Sequence, residues 1–287
     1  MTLRAVALLV VSFLSIAPIS DAQLVTGFAS GLDAPVSAGS AVTVRTLLAK
    51  VFKGVGDDAE SGGIVTASEV VLRQLGVKDR TVLSGGARIA DVETLRVRGD
   101  GKRYVVLLVG VESDETYVPG GGAAVLAVFP EGSSEPQDVA EVKEDVFCSF
   151  GEPATLALGP DDGFLVTNSH SNSSQGYLIT ALYQVRGGRI RRIDSIFTLR
   201  SRGSCASSFE QELAWTTVAE KGSPYPKIVA TVTMAPPTED DVECQEGEKP
   251  VKREVFTGSW RFDREKNRYV PAGGNLDRLQ KLNMENL

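Results

Sequence analysis

The chain reads as a mainly β protein with a small α-helical N-terminal part. It is expected to hold three stacked four-stranded antiparallel repeats, with a two-layer β-sandwich as the alternative arrangement. Three observations predict this. Short segments of β-type composition, rich in Val, Ile, Thr and aromatic residues, are each followed by a polar turn. The segments recur at a fixed interval, with Thr94, Thr155 and Thr216 spaced 61 residues apart. Apolar residues make up 42% and charged residues 23% of the 287, the composition of a folded globular chain.

Residues 1–22 have the anatomy of a secretory signal peptide. Arg4 supplies the positive start, Ala5 to Ala17 form an apolar run broken only by Ser12 and Ser15, and Ser20-Asp21-Ala22 offers small residues for cleavage. The run is shorter than the roughly 20 apolar residues a bilayer demands. The expected mature protein is therefore exported, periplasmic or secreted, with no membrane span. In such an oxidising setting the three cysteines allow one bridge within the chain. Cys205 with Cys244 is the expected pair, because the third repeat would bring those segments together, and Cys148 is then left over.

Residues 23–91 form a lead-in followed by helical signals. Val44, Leu47, Leu48, Val51 and Phe52 fall at i, i+3, i+4, i+7 and i+8, one stripe of a helix that Gly54 and Gly56 end. A second helix is expected from Thr66 to Gly76, on the apolar residues Val70, Val71 and Leu75. Between them, Asp58 to Glu69 resembles a calcium-binding EF-hand loop, with acidic residues at its first, third and twelfth places and Gly63 at its sixth. A hard cation takes six to eight oxygens, and a glycine permits the sharp turn. The resemblance implies Asp58, Glu60, the Ile64 carbonyl, Thr66 and Glu69 as Ca2+ ligands. Gly62 departs from the pattern by offering no side-chain oxygen. Thr66 and Glu69 also form a capping box, which accounts for that pair without a metal.

Residues 92–287 carry the repeats, at about 92–150, 151–210 and 211–271. Each opens on a β-type segment: Thr94 to Val97, Thr155 to Leu158, and Trp215 to Val218. A polar turn follows, then a second strand at Tyr104 to Val111, Phe164 to Thr167 and Ile228 to Thr233. Third strands are expected at Ala124 to Phe129, Leu178 to Tyr183 and Val255 to Trp260. Fourth strands are expected at Asp138 to Val142, Arg189 to Leu199 and Arg268 to Val270. Gly187-Gly188 is a two-residue hairpin signal. One meander cannot hide its own apolar face, so successive units must stack. The units resemble β-propeller blades, and the Gly99-Asp100-Gly101 turn before a hydrophobic strand is similar to an FG-GAP-type blade. Three blades do not close the usual ring of four to eight. The resemblance therefore implies an open array, a cap from the N-terminal part, or self-association. Asn275 to Asn286, with Leu276, Leu279 and Leu282, reads as a short helix laid on the last sheet.

One loop concentrates polar chemistry. Asn168 to Tyr177 holds His170, the single histidine, among hydroxyls and amides between two predicted strands. Loops placed by a rigid sheet commonly carry function. Asn168, His170, Asn172, Gln175 and Tyr177 are the candidate ligand-binding residues, and a sugar or peptide is the ligand class they suit. Capping of sheet backbone by these side chains is the plainer account. Asn172-Ser173-Ser174 is a glycosylation sequon, relevant in a host that glycosylates.

Two charge runs stand out. Arg186, Arg189, Arg191, Arg192, Arg200 and Arg202 form a basic one, and Glu239 to Glu248 an acidic one. They would pair with each other or form solvated faces. With 30 basic against 37 acidic residues and a net charge of −7, nothing electrostatic favours nucleic acid. The chain has no Walker loop, Rossmann glycine fingerprint, HExxH, CxxC or Gly-x-Ser-x-Gly elbow. The function expected is that of a non-enzymatic binding module for an extracytoplasmic ligand or protein, with no cofactor beyond Ca2+. A calcium-binding module and a hydrolase or lyase using His170 are the alternatives.

Overall fold

The computed structural model describes residues 31–286 apart from 38, 58–63, 66–68, 76–79, 84–85, 113–121, 146, 172–174, 202 and 237–245. The segment read as a signal peptide lies outside the described residues. Helix α1, Val44–Val51, starts where Thr43 accepts a hydrogen bond from the Thr46 amide at 3.2 Å, satisfying one of the free donors of the first turn. Its predicted stripe is buried, Leu47, Leu48 and Phe52 completely.

The next elements differ from expectation. Strands β1, Gly56–Asp57, and β2, Ile64–Val65, pair as an antiparallel ribbon across the EF-hand-like loop. The stretch expected to be a second helix instead carries strand β3, Val70–Gln74, which pairs with β4, Arg80–Leu83. The EF-hand reading is thereby corrected, and with it the calcium module, since the loop is flanked by strands rather than by a second helix. The reason is local and tertiary at once. Val70 and Val71 are β-branched and favour the pleated backbone. The edge of a later strand also takes up β3 in parallel, at Arg73 with Ala140 and Gln74 with Glu141.

The remaining chain forms strands where the β-type segments predict them: β5 Arg88–Gly99, β6 Lys102–Glu112, β7 Ala123–Pro130, β8 Asp138–Glu141, β9 Phe147–Leu158, β10 Asp161–Ser171, β11 Gln175–Arg186, β12 Arg189–Ser201, β13 Phe209–Val218, β14 Lys227–Ala235, β15 Glu254–Asp263 and β16 Arg268–Gly274. Two-residue turns connect several of them. Asp100 and Gly101, at φ 49° and 71°, and Gly187 and Gly188, at φ 61° and 66°, have the left-handed backbone that tight hairpins need.

Their association corrects the expectation of three separate propeller-like or FG-GAP-like blades. Two eight-stranded, almost wholly antiparallel sheets form, in the orders β1-β2-β5-β6-β7-β8-β3-β4 and β16-β15-β14-β13-β12-β11-β10-β9. Arg200 pairs with Glu210 and Ser201 with Phe209, so hydrogen bonding runs from β12 into β13 without a break between sheets. A four-stranded sheet exposes two unpaired edges, and the chain covers some of them by pairing onward. The two-layer alternative matches this arrangement better.

The sheets bury a shared core of Leu95, Val97, Tyr104, Val106 and Leu108 from the first with Phe164, Val166, Ala181, Tyr183 and Val185 from the second. Polar ties reinforce it. Glu93 Oε2 accepts from the Phe150 amide at 2.9 Å, and Arg98 holds Asp162 through its amide at 2.8 Å and Nη2 at 2.7 Å. Helix α2, Leu276–Glu285, lies on the second sheet, where buried Asn283 accepts from Gln211 Nε2 at 2.7 Å and donates to the Phe197 carbonyl at 2.9 Å. No helix among the described residues is long and apolar enough to cross a membrane.

Candidate functional site

The hairpin of β10 and β11 sets His170 directly opposite Tyr177. Cross-strand partners lie on the same face of a sheet, so the two rings meet. They stack with centroids 5.2 Å apart and planes 11° from parallel. Phe197 on β12 backs Tyr177, centroids 5.3 Å apart, which fixes the tyrosine ring from behind. The hairpin therefore builds a small aromatic platform whose outer member, His170, is 38% exposed.

The third member is Asp145, in the connection between β8 and β9. Its Oδ1 stands 3.3 Å from His170 Nδ1, and its Oδ2 accepts the hydroxyl hydrogen of Tyr177. Only 11% of the Asp145 side chain is exposed, so this carboxylate is held between two ring partners and largely out of water. The Tyr177 phenol is pushed up to about 12, first by donating to Asp145 and then by burial. It stays a protonated donor across the physiological range. The Nδ1–H tautomer of His170 would donate to Asp145 and leave Nε2 to accept from a ligand.

Asn168 has a positioning role. It is fully buried on β10, accepts from the Glu144 amide at 2.9 Å through Oδ1, and donates to the Val142 carbonyl at 3.3 Å through Nδ2. These two bonds clamp the connection that carries Asp145. Glu144 is tied in turn to Arg192 Nη1 at 2.9 Å. Of the other predicted ligand residues, Gln175 opens β11 opposite Ser201, and Asn172 lies outside the described residues. Sequence reasoning missed Asp145. It sits in Lys143-Glu144-Asp145, which looks like any solvated charge run, and a separation of 25 residues carries no motif.

Of the implied calcium ligands, two can be placed. Ile64 is in β2, Glu69 is exposed ahead of β3, and Asp58, Glu60 and Thr66 lie outside the described residues. Among the described residues no group of three or more His, Cys, Asp or Glu side chains could hold a metal. Cys205 is disulfide-bonded and Cys148 is free, while Cys244, the expected partner of Cys205, lies outside the described residues. Burial, with the charges of Asp91 and Glu93 adding to it, pushes the Cys148 thiol up to about 12, which makes it a poor nucleophile.

The basic run splits among separate partners. Arg200 pairs with Glu210 at 2.5 Å, and Arg192 is already spent on Glu144. Arg186 enters a junction of hairpin ends: its Nη1 meets Asp161 at 2.6 Å and the Tyr225 hydroxyl at 2.9 Å, and its guanidinium lies 4.9 Å from the Phe262 ring centroid. Known protein families, curated proteins and solved structures give no match to this chain.

Proposed function

We propose that the chain is an exported recognition module that holds a polar ligand, of sugar or peptide chemistry, against His170 and Tyr177. The observation that carries this reading is the Asp145, His170 and Tyr177 cluster. Its half-exposed imidazole is oriented before any ligand arrives, stacked on one side and tethered at Nδ1. Pre-organisation of this kind lowers the ordering cost of binding. The aromatic face suits a sugar ring or a planar peptide group, and Nε2 supplies the polar contact. Export rests on the anatomy of residues 1–22 and is part of the proposal.

Glycan and peptide arrays probed with the full mature chain test it. His170→Ala should lose binding to any retained ligand, and Asp145→Asn should weaken it by freeing the ring. Retained binding in His170→Ala at parental strength would dismiss the site.

One observation favours a second reading. A carboxylate at His170 Nδ1 is what a general base requires to orient its ring and stabilise its charged form. Under that reading the chain is a hydrolase or lyase on a surface polymer: as a hydrolase, His170 would take a proton from the attacking water, and as a lyase it would take a proton from the carbon next to the bond that breaks, the leaving group departing as a double bond forms. Turnover of a polymer abolished in His170→Ala, with its binding retained, would select it over the recognition module.

A further inference from the structure

The second sheet is a meander, so successive turns fall at opposite ends. The β10–β11 hairpin with His170 is at one end, and the β13–β14 turn is at the other. At that far end lies an open hollow of about 450 Å³, lined by Val218, Glu220, Lys221, Ser223, Lys227 and Arg261 among others. Its charge is inverted relative to the molecule. Three cations face one carboxylate in a chain whose net charge is −7.

The register sharpens the anomaly. Val218 pairs with Lys227, and Ile228 pairs with Trp260, which places Lys227 beside Arg261 on the neighbouring strand. Like charges at adjacent cross-strand positions destabilise a sheet. The one acid among the described residues lining the hollow, Glu220, is engaged by Arg261 Nε at 2.7 Å. Neither the Lys221 nor the Lys227 ammonium has a hydrogen-bond or ion-pair partner among the described residues. The turn that forms the rim is pinned, because Arg264 Nη2 donates to the Gly222 carbonyl at 3.0 Å and the Ser223 hydroxyl donates to the Tyr225 carbonyl at 2.8 Å. The cations are therefore mounted on ordered backbone around a shallow, open hollow, where their positive potentials add.

We propose that this hollow is an anion-binding site, in which Lys221, Lys227 and Arg261 take an oxyanion group (carboxylate, sulfate or phosphate) of a small ligand. Lys221 and Lys227 act as point charges from two sides. Arg261 offers its remaining guanidinium hydrogens in the fixed fork that suits paired oxygens. Glu220 is the internal competitor that holds Arg261 while the hollow is empty. The proposal is independent of the His170 site, from which it is separated by the length of the strands.

Isothermal titration of the full chain at low salt, with inorganic phosphate, sulfate and citrate and with glucose as a neutral control, tests it. Saturable binding of at least one anion, and none of glucose, is expected. The Lys221→Gln, Lys227→Gln double variant should weaken that binding about tenfold, since each exposed charge contact is worth up to about fivefold. Glu220→Gln should tighten it, and His170→Ala should leave it unchanged. Lys221 is exposed and Lys227 half-buried at the start of β14, and a thermal melt confirms that the double variant is folded. Absence of saturable heat with all three anions, or parental affinity in the double variant, overturns the proposal. Which anion binds most tightly identifies the group that the ligand bears.

Discussion

Replacing Arg186 with methionine should release the junction that ties the hairpin ends together. The change keeps most of the stem volume and removes only the guanidinium. Arg186 is 12% exposed and its partner Asp161 only 3%, so the pair is screened little by water. Asp161 is left buried without its cation, a change that typically costs about 3–5 kcal/mol. The two ring contacts of the guanidinium, 5.1 Å from Tyr225 and 4.9 Å from Phe262, are lost as part of that figure. At this chain size each kcal/mol lowers the melting temperature by roughly 2–4 °C, so a fall on the order of 10 °C follows. The pH dependence carries a sign. Burial already pushes the Asp161 carboxyl up, and Arg186 is the main influence holding it down. Without the arginine its folded value climbs further above the unfolded one. The native variant then takes up a proton more readily than the unfolded chain, so part of the loss returns as pH falls. Adding Asp161→Asn should likewise restore stability. Thermal and urea unfolding followed by circular dichroism at several pH values measures all of this. A loss below about 1 kcal/mol, the scale of an exposed pair, or a loss that acid does not relieve, would refute the reasoning.

Three further outcomes follow from the contact between the sheets. Burial pushes the Glu93 carboxyl up, with neighbouring Asp91 adding to it against the pull of the Phe150 amide, so this group opposes stability at neutral pH and the penalty fades as pH falls through its raised value. Glu93→Gln should therefore flatten the rise in melting temperature between neutral and mildly acidic pH, and an unaltered profile would count against the assignment. Gly99→Ala should cost about 1–3 kcal/mol in urea unfolding, because a Cβ there would stand 2.5 Å from the Val185 carbonyl oxygen of the facing sheet. Cys148, half-buried and with its thiol pushed up to about 12, should react with a disulfide reagent at neutral pH more slowly in the native chain than in denaturant, and equal rates would contradict its un-ionised state.

The strands from β5 to β16 were legible in the sequence because β-type composition and turn residues act over a few neighbouring positions. Phe164 to Thr167 and Ile228 to Thr233 lie within β10 and β14, and Gly187-Gly188 turns as its composition demands. Helices α1 and α2 were legible for the same reason, since their apolar stripes are set by local spacing. His170 stood out by composition alone. What joins those pieces is non-local. The pairing of Arg73 with Ala140 turned an expected helix into a strand, and the pairing of Arg200 with Glu210 merged units that spacing had separated. Strand edges offer identical backbone groups to every candidate partner, so local pattern cannot choose among them. The same holds for the chemistry. Asp145 became the partner of His170 only when the connection between β8 and β9 was laid against β10, and Lys227 the neighbour of Arg261 only through the register of β14 and β15. Local residue chemistry determined which segments would be strands, and only tertiary pairing decided which charges would meet.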